Sequence, residues 1–270
     1  MSWFYLTDGV PLWYEDRGSG PVILLVPGWT YTTRFYDAQI DDLSRDHRVI
    51  AVDLRGAGNS GKTPLGHSLS HYASDILELT DALRLHEITS VGWAMAVSVL
   101  VHAIDRAPER FSRLVWVDHS PRFFTAPDWP FALNKDLDPW SWDSQILALQ
   151  HDRPSATRAL LVDCFREKPS DSDLDWMTAE LLKTPTEVMA TMLATVANVD
   201  LRPLLGRLTL PVLSVNGRHS MVPVDVGAWL AATLPHARTV VMENSAHQPY
   251  LEEAERFNQI VREFAKENAK

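Results

Sequence analysis

Short apolar runs of strand length alternate with longer runs of helical spacing along most of this chain, and no other feature narrows its possible folds as much. "VILLVPGW", "RVIAVDL", "EITSVGW", "RLVWVDH", "LPVLSVNG" and "ARTVVMEN" are rich in β-branched residues, and several are too uniformly apolar to have a wet face. "TRFYDAQIDDLSRDH", "SHYASDILELTDALRLH", "MAVSVLVHAIDRAPE", "VDVGAWLAATLP" and "LEEAERFNQIVREFAKE" place apolar residues along one helical face. A strand covered on both faces needs helices on both sides. The pattern therefore predicts an α/β fold with a mostly parallel central sheet and helices on both faces. Ligands of such sheets bind beyond the carboxyl ends of the strands.

The rhythm breaks between Asp118 and Leu210, where "SPRFFTAPDWPFALNKDLDPWSWDSQ" and several helical patterns replace the short apolar strands. This predicts an inserted, mainly helical cap over residues 119–205, with residues 1–118 and 206–270 forming the core. The Trp and Phe residues of the insertion either seal it to the core or line an aromatic pocket.

A formal net charge of −10, with no Lys/Arg run to offset it, argues against nucleic acid and anionic membranes as partners. The first residues carry no basic segment followed by a long apolar run, and no stretch is long and apolar enough to span a bilayer, so a cytoplasmic location is expected. Cys164 is the only cysteine, which excludes an intrachain disulfide, and "LLVDCFREK" places it on an apolar helical face. Neither a dinucleotide-binding glycine motif nor a metal-ligand cluster is visible, so no cofactor is expected.

The ordered stretches "LLVPGW", "DLRGAGNS", "VGWAMA", "LVWVDHSPR", "LPVLSVNGRHS" and "NSAHQPYLEE" resemble the α/β-hydrolase superfamily across nearly the whole chain. That family mounts its nucleophile in Gly-x-Ser-x-Gly, on a tight strand-to-helix turn. This chain has Gly92-Trp93-Ala94-Met95-Ala96, with Ala94 in the serine's place and Ala96 for the closing glycine. Alanine cannot attack a carbonyl, so acyl-enzyme chemistry at this position is excluded. Ser98 lies a helical turn further in and should point elsewhere.

The resemblance assigns the base to His247, in "NSAHQPY". Of the other histidines, His119 and His219 fall near strand ends and could reach the pocket. Ser220 occupies the usual place of the acid, so Asp118, at the end of "LVWVD", is the candidate, a placement found in some branches of the superfamily. A turn-capping role for Asp118 stays open. The resemblance further implies that the backbone N–H groups of Trp29 and Met95 form an oxyanion hole, with Gly28, Trp93 and His119 bordering the pocket.

A His–Asp pair without a nucleophile is still a general base. In the cofactor-independent dioxygenases that cleave 3-hydroxy-4-quinolone rings, which this chain resembles, such a pair deprotonates the 3-hydroxyl and the anion reacts with O2. The first expectation is therefore a dioxygenase acting on a small aromatic or apolar substrate, including 2-alkyl quinolones, with O2 as co-substrate. Trp93, Met95, Thr30 and Tyr31 stand where some of those enzymes have histidines, so substrate contacts must differ. The rival expectation is a serine-type esterase, lactonase or C–C hydrolase held as a Ser-to-Ala inactive variant at Ala94. A third is a binding protein that kept the pocket and lost the reaction.

Overall fold

The computed structural model describes residues 2–132, 144, 146–147 and 149–267. Among them eight strands form one sheet: β1 (Ser2–Tyr5), β2 (Pro11–Arg17), β3 (Val22–Val26), β4 (Arg48–Val52), β5 (Ile88–Trp93), β6 (Phe111–Val117), β7 (Val212–Gly217) and β8 (Ala237–Met242). Their order is β1-β2-β4-β3-β5-β6-β7-β8. β1 and β2 pair antiparallel, and β2 meets β4 antiparallel; from β4 to β8 every pairing is parallel. The sheet is mostly parallel, as the alternation predicts.

The described helices are α1 (Asp37–Leu43), α2 (Leu69–Ala82), α3 (Met95–Arg106), α4 (Arg153–Asp163), α5 (Asp171–Leu182), α6 (Thr186–Ala197), α7 (Arg202–Leu205), α8 (Asp225–Thr233), α9 (Pro249–Glu252) and α10 (Ala254–Lys266). Two apolar clusters cover opposite faces of the sheet, and successive strand residues divide between them. Leu24, Val26, Ile50, Val52, Leu114 and Trp116 pack with Tyr72 and Ile76 of α2 and with Val97 and Leu100 of α3. Ile23, Leu25, Val49, Ala51, Val115 and Val117 pack with Ile40 of α1 and with Phe257, Val261 and Phe264 of α10. A period of two with both phases buried is what makes these strands read as continuous apolar runs.

Three local features differ from the sequence expectations. β1 is exposed along most of its length and too short for its aromatic residues to form an alternating pattern; backbone pairing with β2 and an edge contact of Trp3 on Trp13, ring centroids 5.0 Å apart, hold it in place. The helix expected over "TRFYDAQIDDLSRDH" opens with a 3₁₀ turn, Thr33–Tyr36, and continues as α only to Leu43. The last helix breaks at Glu253, whose backbone is non-helical (φ −127°, ψ 51°). Its carboxylate accepts from Asn244 N–H (3.0 Å) and Ser245 Oγ (2.7 Å), while Glu252 accepts from Ala246 N–H (2.8 Å), so the two acids fasten the loop that leads to His247.

Between β6 and β7 the described secondary structure is helical apart from two isolated bridges. This segment is fastened to the sheet side by Trp29 Nε1, which donates to Met189 O (2.9 Å), and by Glu180, which accepts from Thr32 Oγ1 (3.0 Å) and Arg34 (3.2 Å). Of its aromatic residues, Trp129 is buried and sits edge-on to Trp229 of α8, a sealing contact. The expected pocket aromatics between 133 and 143 lie outside the described residues. No helix among the described residues is long and apolar enough to cross a membrane.

Candidate active site

Three chain segments converge at the carboxyl ends of β3, β5 and β8. After β3 the chain turns through Pro27, Gly28 and Trp29 into Thr30, a residue held at φ 61°. After β5 it turns within one residue: Ala94 sits at φ 50°, ψ −126°, and α3 begins at Met95. An L-residue in that conformation costs on the order of 1–3 kcal/mol. The strained elbow is thus present although its serine is not, held by Ala94 N–H donating to Val117 O (3.0 Å) and by the buried start of α3. The backbone N–H groups of Trp29 and Met95 have no hydrogen-bond partner among the described residues. For Met95 this follows from its position as the first residue of a helix.

The third segment brings in His247. Its Nδ1 lies 2.6 Å from Asp118 Oδ2, across 129 positions of sequence. Asp118 follows β6 at φ 47° and has no solvent exposure. Its Oδ1 accepts from Gly217 N–H (3.1 Å), and its Oδ2 also accepts from Ser220 Oγ, which is itself fixed by Val222 N–H (3.0 Å). Burial pushes the Asp118 carboxyl above its ordinary value; the bonds from His247, Ser220 and Gly217 oppose that by favouring the charged form. An ionised Asp118 selects the tautomer with a proton on Nδ1, which leaves Nε2 as the basic nitrogen. Nε2 makes no hydrogen bond among the described residues. Gly217 is required by close approach: a Cβ there would lie 1.8 Å from Ala246 O, in the loop that carries the histidine.

The structure thus brings Asp118, His247, Ala94 and the Trp29 and Met95 backbone into one region. His119 is buried beside it, with its Nε2 2.8 Å from Ser98 Oγ, so Ser98 is turned away from the elbow toward this imidazole. Burial first, and the neighbouring His247 second, push the His119 pKa down to about 3, which keeps the ring neutral. His219 is exposed on the loop after β7 and contributes its backbone N–H to Ser245 O. Cys164 is a buried free thiol just after α4, and its carbonyl accepts from His247 N–H (3.0 Å). Sequence reasoning missed Ser220 and Gly217 as partners of Asp118. Ser220 was findable, since a hydroxyl in the vacated place of the acid can reach an acid one strand away. No group of three or more His, Cys, Asp or Glu among the described residues is placed to hold a metal ion.

A family model described as alpha/beta hydrolase fold matches residues 21–254. The pimeloyl-[acyl-carrier protein] methyl ester esterase of Vibrio parahaemolyticus is 28% identical over 264 residues, covering 95% of this chain and 98% of that protein. The enzyme of the same name from Nitrosomonas europaea is 28% identical over 254 residues, covering 90% and 95%. Among solved structures, an esterase from Exiguobacterium antarcticum superposes with a TM-score of 0.92 at 23% identity, covering 98% of this chain and 99% of that one. These relatives overturn the dioxygenase expectation, and with it the oxidoreductase class, quinolone degradation and the pairing of a small aromatic substrate with O2: several curated proteins matched over nearly their whole length are named methyl ester esterases. The physical reason for the error is that a His–Asp base does not specify which proton it takes.

Two outcomes are expected from this geometry. Ala94→Gly should raise stability by about 1 kcal/mol, because glycine relieves the strain at φ 50° and loses part of that gain to its greater freedom when unfolded; urea unfolding midpoints measure it, and a destabilised variant would show the elbow to be unstrained. The second concerns acid. The unfolded chain protonates His119 near pH 6.5, whereas the folded protein resists down to about 3, so the unfolded state binds more protons and stability falls as pH drops through that window. The slope from this group reaches about 1.4 kcal/mol per pH unit. His119→Asn should flatten the fall, and parallel curves for the two proteins would show that the ring protonates while folded.

Proposed function

The chain belongs to the α/β-hydrolase fold family, and from that premise we propose that it is a carboxylic ester hydrolase whose site keeps a base and oxyanion donors but holds alanine at the nucleophile position. The observation that carries this reading is Ala94, kept in the strained elbow conformation (φ 50°, ψ −126°) in a site that also holds the 2.6 Å His247–Asp118 bond. In this reading the ester carbonyl lies against the N–H groups of Trp29 and Met95. His247 Nε2 takes a proton from a water molecule as the water oxygen bonds to the carbonyl carbon. The negative charge moves to the carbonyl oxygen and is held by the two N–H groups, while Asp118 stabilises the imidazolium. Collapse of the tetrahedral intermediate breaks the bond to the alkoxy oxygen. The imidazolium returns its proton there, releasing alcohol and acid.

Gly28, Trp93 and His119 belong to the surroundings of this site, and residues 119–205 act as its cap. The names of the curated relatives, methyl ester esterases, support a simple ester as substrate, and a cytoplasmic setting goes with the reading. Direct attack by water gives up the covalent route, so turnover should be low. Ala94 also favours a second reading, a site that holds an ester without turning it over.

Ala94→Ser should raise kcat/KM for aryl and methyl esters of short carboxylic acids by about 10³-fold or more, the scale on which serine nucleophiles act. The restored serine should become labelled by an aryl phosphonate, and adding His247→Ala should remove the gain. A folded Ala94→Ser protein that neither hydrolyses esters nor takes the label would refute the hydrolase reading.

A further inference from the structure

Trp93 is placed by the sequence beside the elbow, where a pocket-lining role is the simple expectation. The structure buries it and gives its indole N–H another partner: Nε1 donates to the peptide oxygen of His247 at 2.6 Å. The ring is tilted against the imidazole of His247 with centroids 5.0 Å apart, and it stands edge-on to Tyr31 at 4.4 Å and to Tyr250 at 5.5 Å. On its other side it touches the oxyanion turn so closely that a Cβ at Gly28 would lie 2.7 Å from its Cε3. One side chain therefore contacts the turn after β3 and the loop of the base, and is covalently next to Ala94.

We propose that Trp93 is a positioning residue that sets the imidazole of His247 against Asp118 and against the oxyanion turn. A buried indole N–H has to find an acceptor, and here the acceptor is the peptide of the base itself. The preceding peptide is also held, since His247 N–H donates to Cys164 O (3.0 Å). With both peptide groups committed, the imidazole is free chiefly to turn about its side-chain bonds, and the indole packed against it limits that turn. Removing the indole N–H releases the carbonyl and leaves it buried without a donor, which lets the loop shift the short Nδ1–Asp118 contact.

This inference rests on His247 being the base. Its test reads the imidazole rather than turnover, so it remains decisive even for a chain that hydrolyses no ester. In protein labelled with ¹⁵N-histidine, the downfield Nδ1 proton of His247, assigned by its loss in His247→Gln, and the titration midpoint of the ring are followed by NMR. Trp93→Phe should broaden or abolish the downfield proton and move the measured midpoint. Gly28→Ala, which pushes the indole aside without removing it, should act in the same direction. Tyr250→Phe is the control: the Tyr250 hydroxyl is buried without a hydrogen-bond partner among the described residues, so its loss should leave both signals in place. A folded Trp93→Phe protein with both signals unchanged overturns the proposal. If Trp93→Phe does not fold, unchanged signals in Gly28→Ala overturn it.

Discussion

A carboxylate without solvent exposure is stable in a folded protein only if its charge is met by donors, and Asp118 is the clearest case in this molecule. Three donors converge on it, from His247, from Ser220 and from the backbone of Gly217. They come from two places in the chain, the end of β7 with its following loop and the loop after β8, so satisfying this one group fixes the relation of both to β6. The left-handed backbone at Asp118 and the missing side chain at Gly217 are the local concessions that allow the approach. The acid stands one strand away from its usual place in the fold, and adjacency explains why this works: Val117 lies opposite Val215 across a parallel pair, so the ends of β6 and β7 reach the same imidazole.

The turn after β3 and the loop after β4 are organised by a second buried acid. Asp53 accepts from Thr33 N–H (2.6 Å) and Asn59 N–H (2.7 Å), and burial pushes its pKa up to about 6. Beside it Glu180 of α5 accepts from Thr32 and Arg34, so the turn after β3 is held by carboxylates that bind backbone and side-chain donors across elements distant in sequence. The elbow persists without its serine because the packing of α3 and the bond to Val117 determine it, not the hydroxyl it was shaped to present.

The sheet was legible because its strands are covered on both faces, which forces uniformly apolar composition on them and leaves amphipathic spacing to the helices. β1 was not legible: an exposed edge strand needs backbone pairing only, and "SWFY" carries no pattern to mark it. The break at Glu253 was hidden because its cause is a carboxylate bonding back to Asn244 and Ser245, while the helical spacing runs through it undisturbed. In the site, Asp118, His247 and the elbow were marked by strand ends read together with the family resemblance. The indole of Trp93 could not, because its acceptor lies 154 positions away and nothing in composition announces it. The reaction was misread for a different reason. Proton abstraction is common to water, enols and alcohols, and the residues that perform it are the same for all of them.

The bond from His247 N–H to Cys164 O has a mechanical consequence. Cys164 closes the helix Arg153–Asp163, which belongs to the segment between β6 and β7. The end of that helix is thereby tied to the amide of His247, so a displacement of the helix end is felt directly in the loop after β8.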